Sequence, residues 1–173
     1  MNELLFTALD VACIVNNLDL TVKSSAELVR KIFYEDNDFI APKYKNDYRK
    51  WFIDICYWSN YLYDKVTFDK EFPAIQKDCG GLLNEKNFVT DDFNLELFFK
   101  LLRVKILYVG EKNYVRMKLR TLLSNYGYKR RSKEFIAYVK ESLKFYGIDA
   151  TFHGELCDVS EISLDDMITF RIF

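Results

Sequence analysis

Few side chains in this chain have the types and spacing that chemistry needs. His153 is the only histidine, and the cysteines Cys13, Cys56, Cys79 and Cys157 are widely separated, so neither a zinc site nor a disulfide framework is indicated. No Gly-rich phosphate loop, no H-E-x-x-H and no G-x-S-x-G motif occurs. We therefore expect no enzyme, no metal, no cofactor and free thiols, with His153 as a structural ring.

Paired acidic residues are the remaining candidates for metal chemistry. They are Asp36 with Asp38, Asp91 with Asp92, and Asp165 with Asp166. None is followed by the Glu-x-Lys arrangement on a predicted strand that a Mg²⁺-dependent nuclease would use. We interpret these pairs as solvated loops or helix caps.

Positive charge is strongly segregated along the chain, although the overall net charge is −1. Residues 100–148 hold 13 Lys and Arg against 3 Asp and Glu, a net charge of +10. The preceding 99 residues carry −6 and residues 149–173 carry −5. Such blocks indicate a local polyanion partner. The alternative is that the basic segment complements the acidic first half, within the chain or across a dimer.

The basic segment itself is predicted to form two helices joined by a turn. The first helix covers residues 119–125, the turn uses Asn125 and Gly127, and the second helix runs from Ser132 to Gly147. A serine hydroxyl can accept a backbone N–H that the first helical turn leaves unpaired. Glycine tolerates the left-handed conformation that commonly follows a helix. Both ends of the second helix are therefore marked in the sequence.

The flanking segments make a more specific prediction. Residues 94–109 read as a helix and residues 114–118 as a short strand, while residues 149–153 and 167–173 have strand character with a polar loop between them. This order, with the pattern L-x-x-L-L-x-x-x-G at Leu119, Leu122, Leu123 and Gly127, resembles a winged helix-turn-helix domain of bacterial regulatory and defence-associated proteins. The resemblance covers about half of the chain and implies nucleic-acid binding.

The second helix of this pair has two distinct faces when residues are placed 100° apart. Its predicted core face holds Phe135, Ile136, Val139, Leu143 and Tyr146. The opposite face carries a lysine stripe, made of Lys133, Lys140 and Lys144 around the small Ala137. In a winged helix this stripe would meet the major groove. The predicted nucleic-acid-binding residues are Lys118, Arg120, Lys129, Arg130, Arg131, Lys133, Lys140 and Lys144. Lysine suits phosphate better than base edges, so affinity is predicted more readily than sequence specificity.

Two alternatives remain for these cations. The lysine stripe could be only a solvated face. The cluster Lys129, Arg130 and Arg131 lies where the helix dipole repels cations, so either a phosphate or carboxylates of the first half should stabilise it. The loop of residues 155–166 is acidic, which departs from a wing that grips phosphate and strengthens the alternative of a protein-interaction module.

The first half of the chain is predicted to be helical, with helices over residues 2–18, from Ser24 or Ser25 to Tyr34, and over residues 44–64. In the third helix one aromatic face is expected to be core, while Tyr57 and Tyr61 project from the other side as a dimer contact or a base-stacking surface. Covering an adjacent helix is the simpler interpretation of those two residues. Residues 66–93 read as a linker with a short helix at 73–79.

Taken together, the sequence predicts a mainly α protein with a helical part at residues 1–90 and a winged-helix-like domain with a small β wing at residues 91–173. The expected function is binding of nucleic acid, with duplex DNA as the target, mainly through phosphates. The alternative is an interaction module or inhibitor that binds a protein partner. A homodimer, a cytoplasmic location and no membrane partner are also expected.

Overall fold

A computed structural model describes residues 4–63, 95–125 and 130–172. The chain divides into two compact units, Met1–Asp92 and Phe93–Phe173. The predicted linker at 66–93, its short helix and the predicted caps Asp91 and Asp92 lie outside the described residues, as does Lys129.

The first unit consists of three described helices, α1 at Ala8–Leu18, α2 at Val22–Glu35 and α3 at Tyr48–Tyr63, with a short 3₁₀ turn at Asn37–Phe39. Helix α1 packs along α3. Their core includes Val11, Ile14, Ile32 and Trp51, all fully buried. The Trp51 indole N–H donates to the carbonyl oxygen of Val29 at 3.3 Å. Because that polar atom is paired, the largest side chain of the core carries no desolvation penalty.

The helix starts in this unit differ from those predicted. Helix α1 begins at Ala8, not at residue 2, because Thr7 and Asp10 form a capping box in which each side chain accepts the other's backbone N–H. Helix α2 is capped by Thr21, whose hydroxyl accepts from the Ser24 N–H at 3.2 Å. The prediction of Ser24 or Ser25 as the cap was therefore wrong. Ser24 lies inside the first turn.

The second unit follows the predicted order closely. Helix α4 at Leu95–Val104 continues into a π-helical turn at Lys105–Val109; strand β1 at Tyr114–Lys118, helix α5 at Leu119–Asn125 and helix α6 at Lys133–Phe145 follow. Strands β2 at Ile148–Phe152, β3 at Glu155–Leu156 and β4 at Met167–Ile172 complete it. Only β3 was not predicted.

Both predicted ends of helix α6 are confirmed. The Ser132 hydroxyl accepts from the Phe135 N–H at 3.1 Å. Gly147 follows the helix with φ of +60°, the left-handed region that favours glycine. These two residues place α6 between the chain leaving α5 and the first strand of the closing hairpin.

The described strands form one antiparallel sheet in the order β1-β4-β2-β3. Strand β4 is central: Tyr114 lies opposite Arg171 on one side, and Asp149 lies opposite the same arginine on the other. Ile168 and Phe170 of β4 are fully buried, as are Phe135 and Val139 of α6. One face of the sheet thus forms the core with the helices, because side chains two residues apart on a strand point to the same face.

The chain is mostly helical, with this small sheet, so the coarse prediction of a mainly α fold is confirmed. Within residues 4–63, 95–125 and 130–172, no helix is both long and apolar enough to cross a membrane.

Candidate polyanion-binding surface

Helix α6 has the two faces that its sequence predicts. Phe135, Val139, Leu143 and Tyr146 are buried, while Ile136 is half-buried. On the opposite face, every member of the lysine stripe is exposed: Lys133, Ala137, Lys140 and Lys144. The stripe therefore runs along the exposed side of the helix for about three turns.

Arg130 and Arg131 occupy different environments, although they are adjacent just before the helix. Arg130 is exposed. Arg131 is half-buried, and its Nη1 donates to the carbonyl oxygens of Ile162 at 2.6 Å and Val159 at 3.1 Å. The intramolecular alternative raised from the sequence placed carboxylates of the first half beside these arginines. The described partners of Arg131 are instead backbone carbonyls of the loop between β3 and β4.

That loop, residues 157–166, is called the acidic loop below, and it also engages the lysine stripe. The Lys140 ammonium donates to Asp158 Oδ2 at 2.6 Å and to Ser160 Oγ at 3.3 Å. The other oxygen of Asp158 accepts from the Ser160 backbone N–H at 2.8 Å. Hydrogen bonds from Lys140, then from Ser160, hold the pKa of Asp158 far below its ordinary value.

A second ion pair joins the acidic loop to helix α5. The Arg120 guanidinium binds Asp165 with two parallel hydrogen bonds, Nε to Oδ1 and Nη2 to Oδ2, both 2.8 Å long. The Arg120 backbone N–H donates to the Leu164 carbonyl oxygen at 2.8 Å. This bidentate contact lowers the pKa of Asp165 and raises that of Arg120.

The structure therefore divides the predicted cations into groups. Arg120, Arg131 and Lys140 bind the acidic loop. Arg130, Lys133 and Lys144 are exposed and form no salt bridge with the described residues. Lys118 is exposed at the end of β1, and strand alternation places it with Tyr114 and Arg116 on the sheet face opposite the core.

Sequence reasoning did not foresee that the acidic loop folds back onto the helix pair. A signal was present, because a segment of net charge −5 follows directly on one of +10. The choice of cations that the acidic loop pairs with depends on the β2–β3 hairpin. That hairpin could not be predicted, because β3 has only two residues and shows no recognisable strand pattern.

In the first unit, one of the two tyrosines expected to be exposed is not. Tyr57 is 47% exposed, whereas Tyr61 is 1% exposed and packs edge-on against Trp58. A 100° step per residue puts Tyr61 in line with the Trp58 side of α3, so the interpretation of Tyr61 as an exposed contact was wrong, whereas its burial agrees with the simpler interpretation that it covers an adjacent helix. The basis for the expected dimer contact is reduced to Tyr57.

No three His, Cys, Asp or Glu side chains in the described residues come together as metal ligands would. His153 is exposed and has a φ of +52°, next to Gly154 at +92°, in the two-residue turn between β2 and β3. Both positive φ values match the type of turn that joins strands of a tight hairpin. The place of His153 in the fold is that of a turn residue.

Acid titration tests the pairing of the acidic loop. The pKa of Asp158 is lower in the folded state than in the unfolded chain. The stabilisation that its ion pair provides is therefore present above about pH 4, near the ordinary pKa of aspartate, and is lost as the pH falls through the lower pKa of the folded state. We expect carboxyl chemical shifts to show Asp158 titrating well below Asp in an unfolded peptide. In Lys140→Gln the Asp158 midpoint should rise while that of Asp165 stays. Titration of Asp158 at an ordinary value in the parent protein would contradict the pairing.

Neighbouring arginine substitutions separate the roles of Arg130 and Arg131. Arg131→Gln removes the donor to two loop carbonyls, so we expect it to lower the free energy of unfolding by about 1–3 kcal/mol. Arg130→Gln, the matched control, should change it by less than about 0.5 kcal/mol because that side chain is exposed. Urea denaturation measures both. Equal losses in the two variants would show that Arg131 does not anchor the loop.

No family model, no curated protein and no solved structure matches this chain. Its function is therefore inferred from its own residues.

Proposed function

We propose that the second unit is a winged helix-turn-helix that binds duplex DNA mainly through phosphates, with helix α6 facing the major groove. The protein would act by binding and not by chemistry, in the regulatory or defence-related manner that the sequence resemblance implies. The observation that carries the proposal is the exposed lysine stripe of α6 on a helix whose opposite face is buried in the core.

The topology of the second unit supports a winged helix. Helix, strand, two helices and a closing strand pair follow one another, and the last strand, β4, lies between β1 and β2. In this arrangement the second helix of the pair is the one that enters the major groove, while the connection between the closing strands forms the wing. Here that connection contains β3 and the acidic loop.

The charge chemistry supports phosphate contact over base reading. The stripe presents lysines around the small Ala137, and a lysine ammonium is a flexible point charge. Specific reading of base edges mostly uses the bidentate groups of Arg, Asn or Gln. Arg130 lies just before Ser132, so a phosphate bound by it would also lie near the unpaired N–H groups of the first turn.

The acidic loop sets how many cations are available. With Arg120, Arg131 and Lys140 bound to the loop, a duplex meets Arg130, Lys133 and Lys144 first. Phosphate would then have to displace Asp158 from Lys140 and Asp165 from Arg120 to gain two more contacts. Both ion pairs are exposed, and exposed pairs contribute little net stability, so this exchange is accessible to a polyanion.

The alternative function, a protein-interaction module, has one observation in its favour. A loop whose carboxylates neutralise the recognition-helix cations makes that surface less basic and better suited to a protein partner. The expected homodimer, through the first unit, is compatible with either function and would place two recognition helices on one duplex.

Salt-dependent duplex binding tests the proposal. With three phosphate contacts, log K against log salt should slope at about −2.7. Lys133→Gln/Lys144→Gln should flatten it by about 1.8, because each phosphate contact contributes about 0.9. Fluorescence anisotropy with a labelled duplex measures the slope. Lys23→Gln/Lys31→Gln on α2 is the control with the same charge change at exposed positions. No duplex binding at about 50 mM salt would reject the proposal in favour of the interaction module.

Neutralising the acidic loop should strengthen duplex binding. Asp158→Asn/Asp165→Asn keeps the side-chain size and releases Arg120 and Lys140, so we expect tighter binding and a slope steeper by up to about 1.8. Glu155→Gln/Glu161→Gln removes the same charge from exposed residues that pair with no described cation. That control should have a smaller effect. Equal gains in both variants would show that general charge, and not release of the two cations, controls affinity.

A further inference from the structure

A second basic surface lies on the sheet, on the face turned away from the core. It consists of Lys112, Tyr114, Arg116, Lys118 and Arg171, which we call the cationic sheet face. Strand alternation puts Tyr114, Arg116 and Lys118 on the same side of β1, and the antiparallel register places Arg171 of β4 directly opposite Tyr114. Since Val115 and Met117 point to the core side, this face is separate from the lysine stripe of α6.

The Tyr114 ring is the centre of this face. The Arg116 Cζ lies 5.0 Å from the ring centroid, the Arg171 Cζ 5.3 Å and the Lys112 Nζ 5.6 Å. Each distance is within the range of a cation–π contact, and such contacts partly offset repulsion between the cations. One aromatic side chain thus gathers three positive charges at the surface of the sheet.

Little negative charge balances the three cations around Tyr114. Among the described residues, none of these cations forms a salt bridge. Asp149, opposite Arg171 on β2, is the one carboxylate that the register brings to the same face of the neighbouring strand, and it makes no ion pair with the arginine. The buried Nε of Arg171 has no hydrogen-bond partner in the described part of the chain. An anion bound at the exposed part of the face would therefore relieve the repulsion among these cations.

The orientation of Arg116 shows that part of the face is already ordered. Its Nε donates to the Thr169 hydroxyl at 3.2 Å, across the β1–β4 pair. Thr169 itself is buried, although it belongs to the outer face. Because one N–H of the guanidinium is fixed by the sheet, its remaining N–H groups lose less conformational entropy when they bind a ligand.

We infer that the cationic sheet face binds single-stranded nucleic acid, with phosphates along β1 at Arg116 and Lys118 and a base that takes the place of the exposed Lys112 against the Tyr114 ring. Arg116 and Lys118 are two residues apart, so they follow the strand with a spacing of about 6.8 Å along an extended path. Aromatic side chains that stack bases beside a basic track are the usual chemistry of single-strand recognition. An acidic peptide would use the cations but would leave the aromatic ring without a stacking partner.

This inference is independent of the proposed duplex contact. A duplex meets a helix in its major groove, whereas unpaired bases can lie flat on a sheet. The two surfaces use different residues apart from Lys118, so each can be removed without the other.

A single-strand binding assay with three variants tests the inference. The probe is a labelled oligothymidylate of about 15 nucleotides, followed by fluorescence anisotropy over a range of salt. Tyr114→Leu should weaken binding at least about fivefold through lost stacking. Arg116→Gln/Arg171→Gln should weaken binding and flatten the salt slope by about 0.7, the contribution of the one single-strand phosphate contact at Arg116. Asp149→Asn, which removes the opposing carboxylate, should bind more tightly.

The control is Lys133→Gln/Lys144→Gln, which removes the same charge from the α6 stripe and should leave single-strand affinity within about twofold. Single-strand affinity unchanged in Tyr114→Leu and in Arg116→Gln/Arg171→Gln would overturn the inference. The inference would also be overturned if poly-glutamate displaced the labelled probe as well as unlabelled oligothymidylate does. A folding defect would lower single-strand affinity, whereas Asp149→Asn is expected to raise it. A gain in this variant therefore cannot come from misfolding. Single-strand binding without any duplex binding would reject the proposed duplex function and leave the sheet-face inference standing.

Discussion

The contacts between the acidic loop and the helix pair determine most of what the second unit can do. Arg131 ties the loop by two carbonyls, Lys140 binds it through Asp158, and Arg120 binds it through Asp165. The first contact uses neutral acceptors and persists whatever the charge state of the loop. The other two are exposed ion pairs, which a polyanion or salt can replace. The loop is thus anchored by hydrogen bonds to neutral carbonyl oxygens, from Arg131 and from the Arg120 backbone N–H, and is exchangeable at the two ion pairs.

Segregation of charge along the sequence explains how a chain with an overall charge of −1 can present a basic surface. The acidic loop then neutralises part of the charge of helices α5 and α6. This neutralisation lowers the electrostatic repulsion among the cations of helix α6 and those of the residues just before it. The same neutralisation lowers affinity for any polyanion, so stability of the free protein and strength of binding oppose one another at these residues.

The elements of the second unit could be predicted from the sequence because their local signals agree with the tertiary structure. The Ser132 cap, the glycine at 147 and the apolar arc of α6 all specify the same helix. Predictions failed where several local signals competed, as at Ser24, where the hydroxyl of Thr21 caps the helix one turn earlier. They failed for Tyr61 because a neighbouring aromatic, Trp58, widens the buried face beyond the arc counted from the sequence.

The candidate site was predictable in composition but not in geometry. The cations of α6 follow from helical periodicity, which is local. Pairing of Arg120 with Asp165 joins residues 45 apart, and the Tyr114–Arg171 contact depends on strand register; neither is encoded in a local pattern. The cationic sheet face emerges only when β1 and β4 are adjacent.

The central position of β4 also governs the order in which the second unit can assemble. Strands β1 and β2 each pair with β4 and not with one another. During synthesis, the helix pair can therefore form early from local interactions, whereas β1 has no partner in this sheet, and β2 has only the two residues of β3, until residues 167–172 are available. Such non-local pairing is slow because loop closure comes before the contacts that reward it. The ring of Tyr114 and its arginines would be assembled last, so an intact cationic sheet face reports that the whole unit has folded.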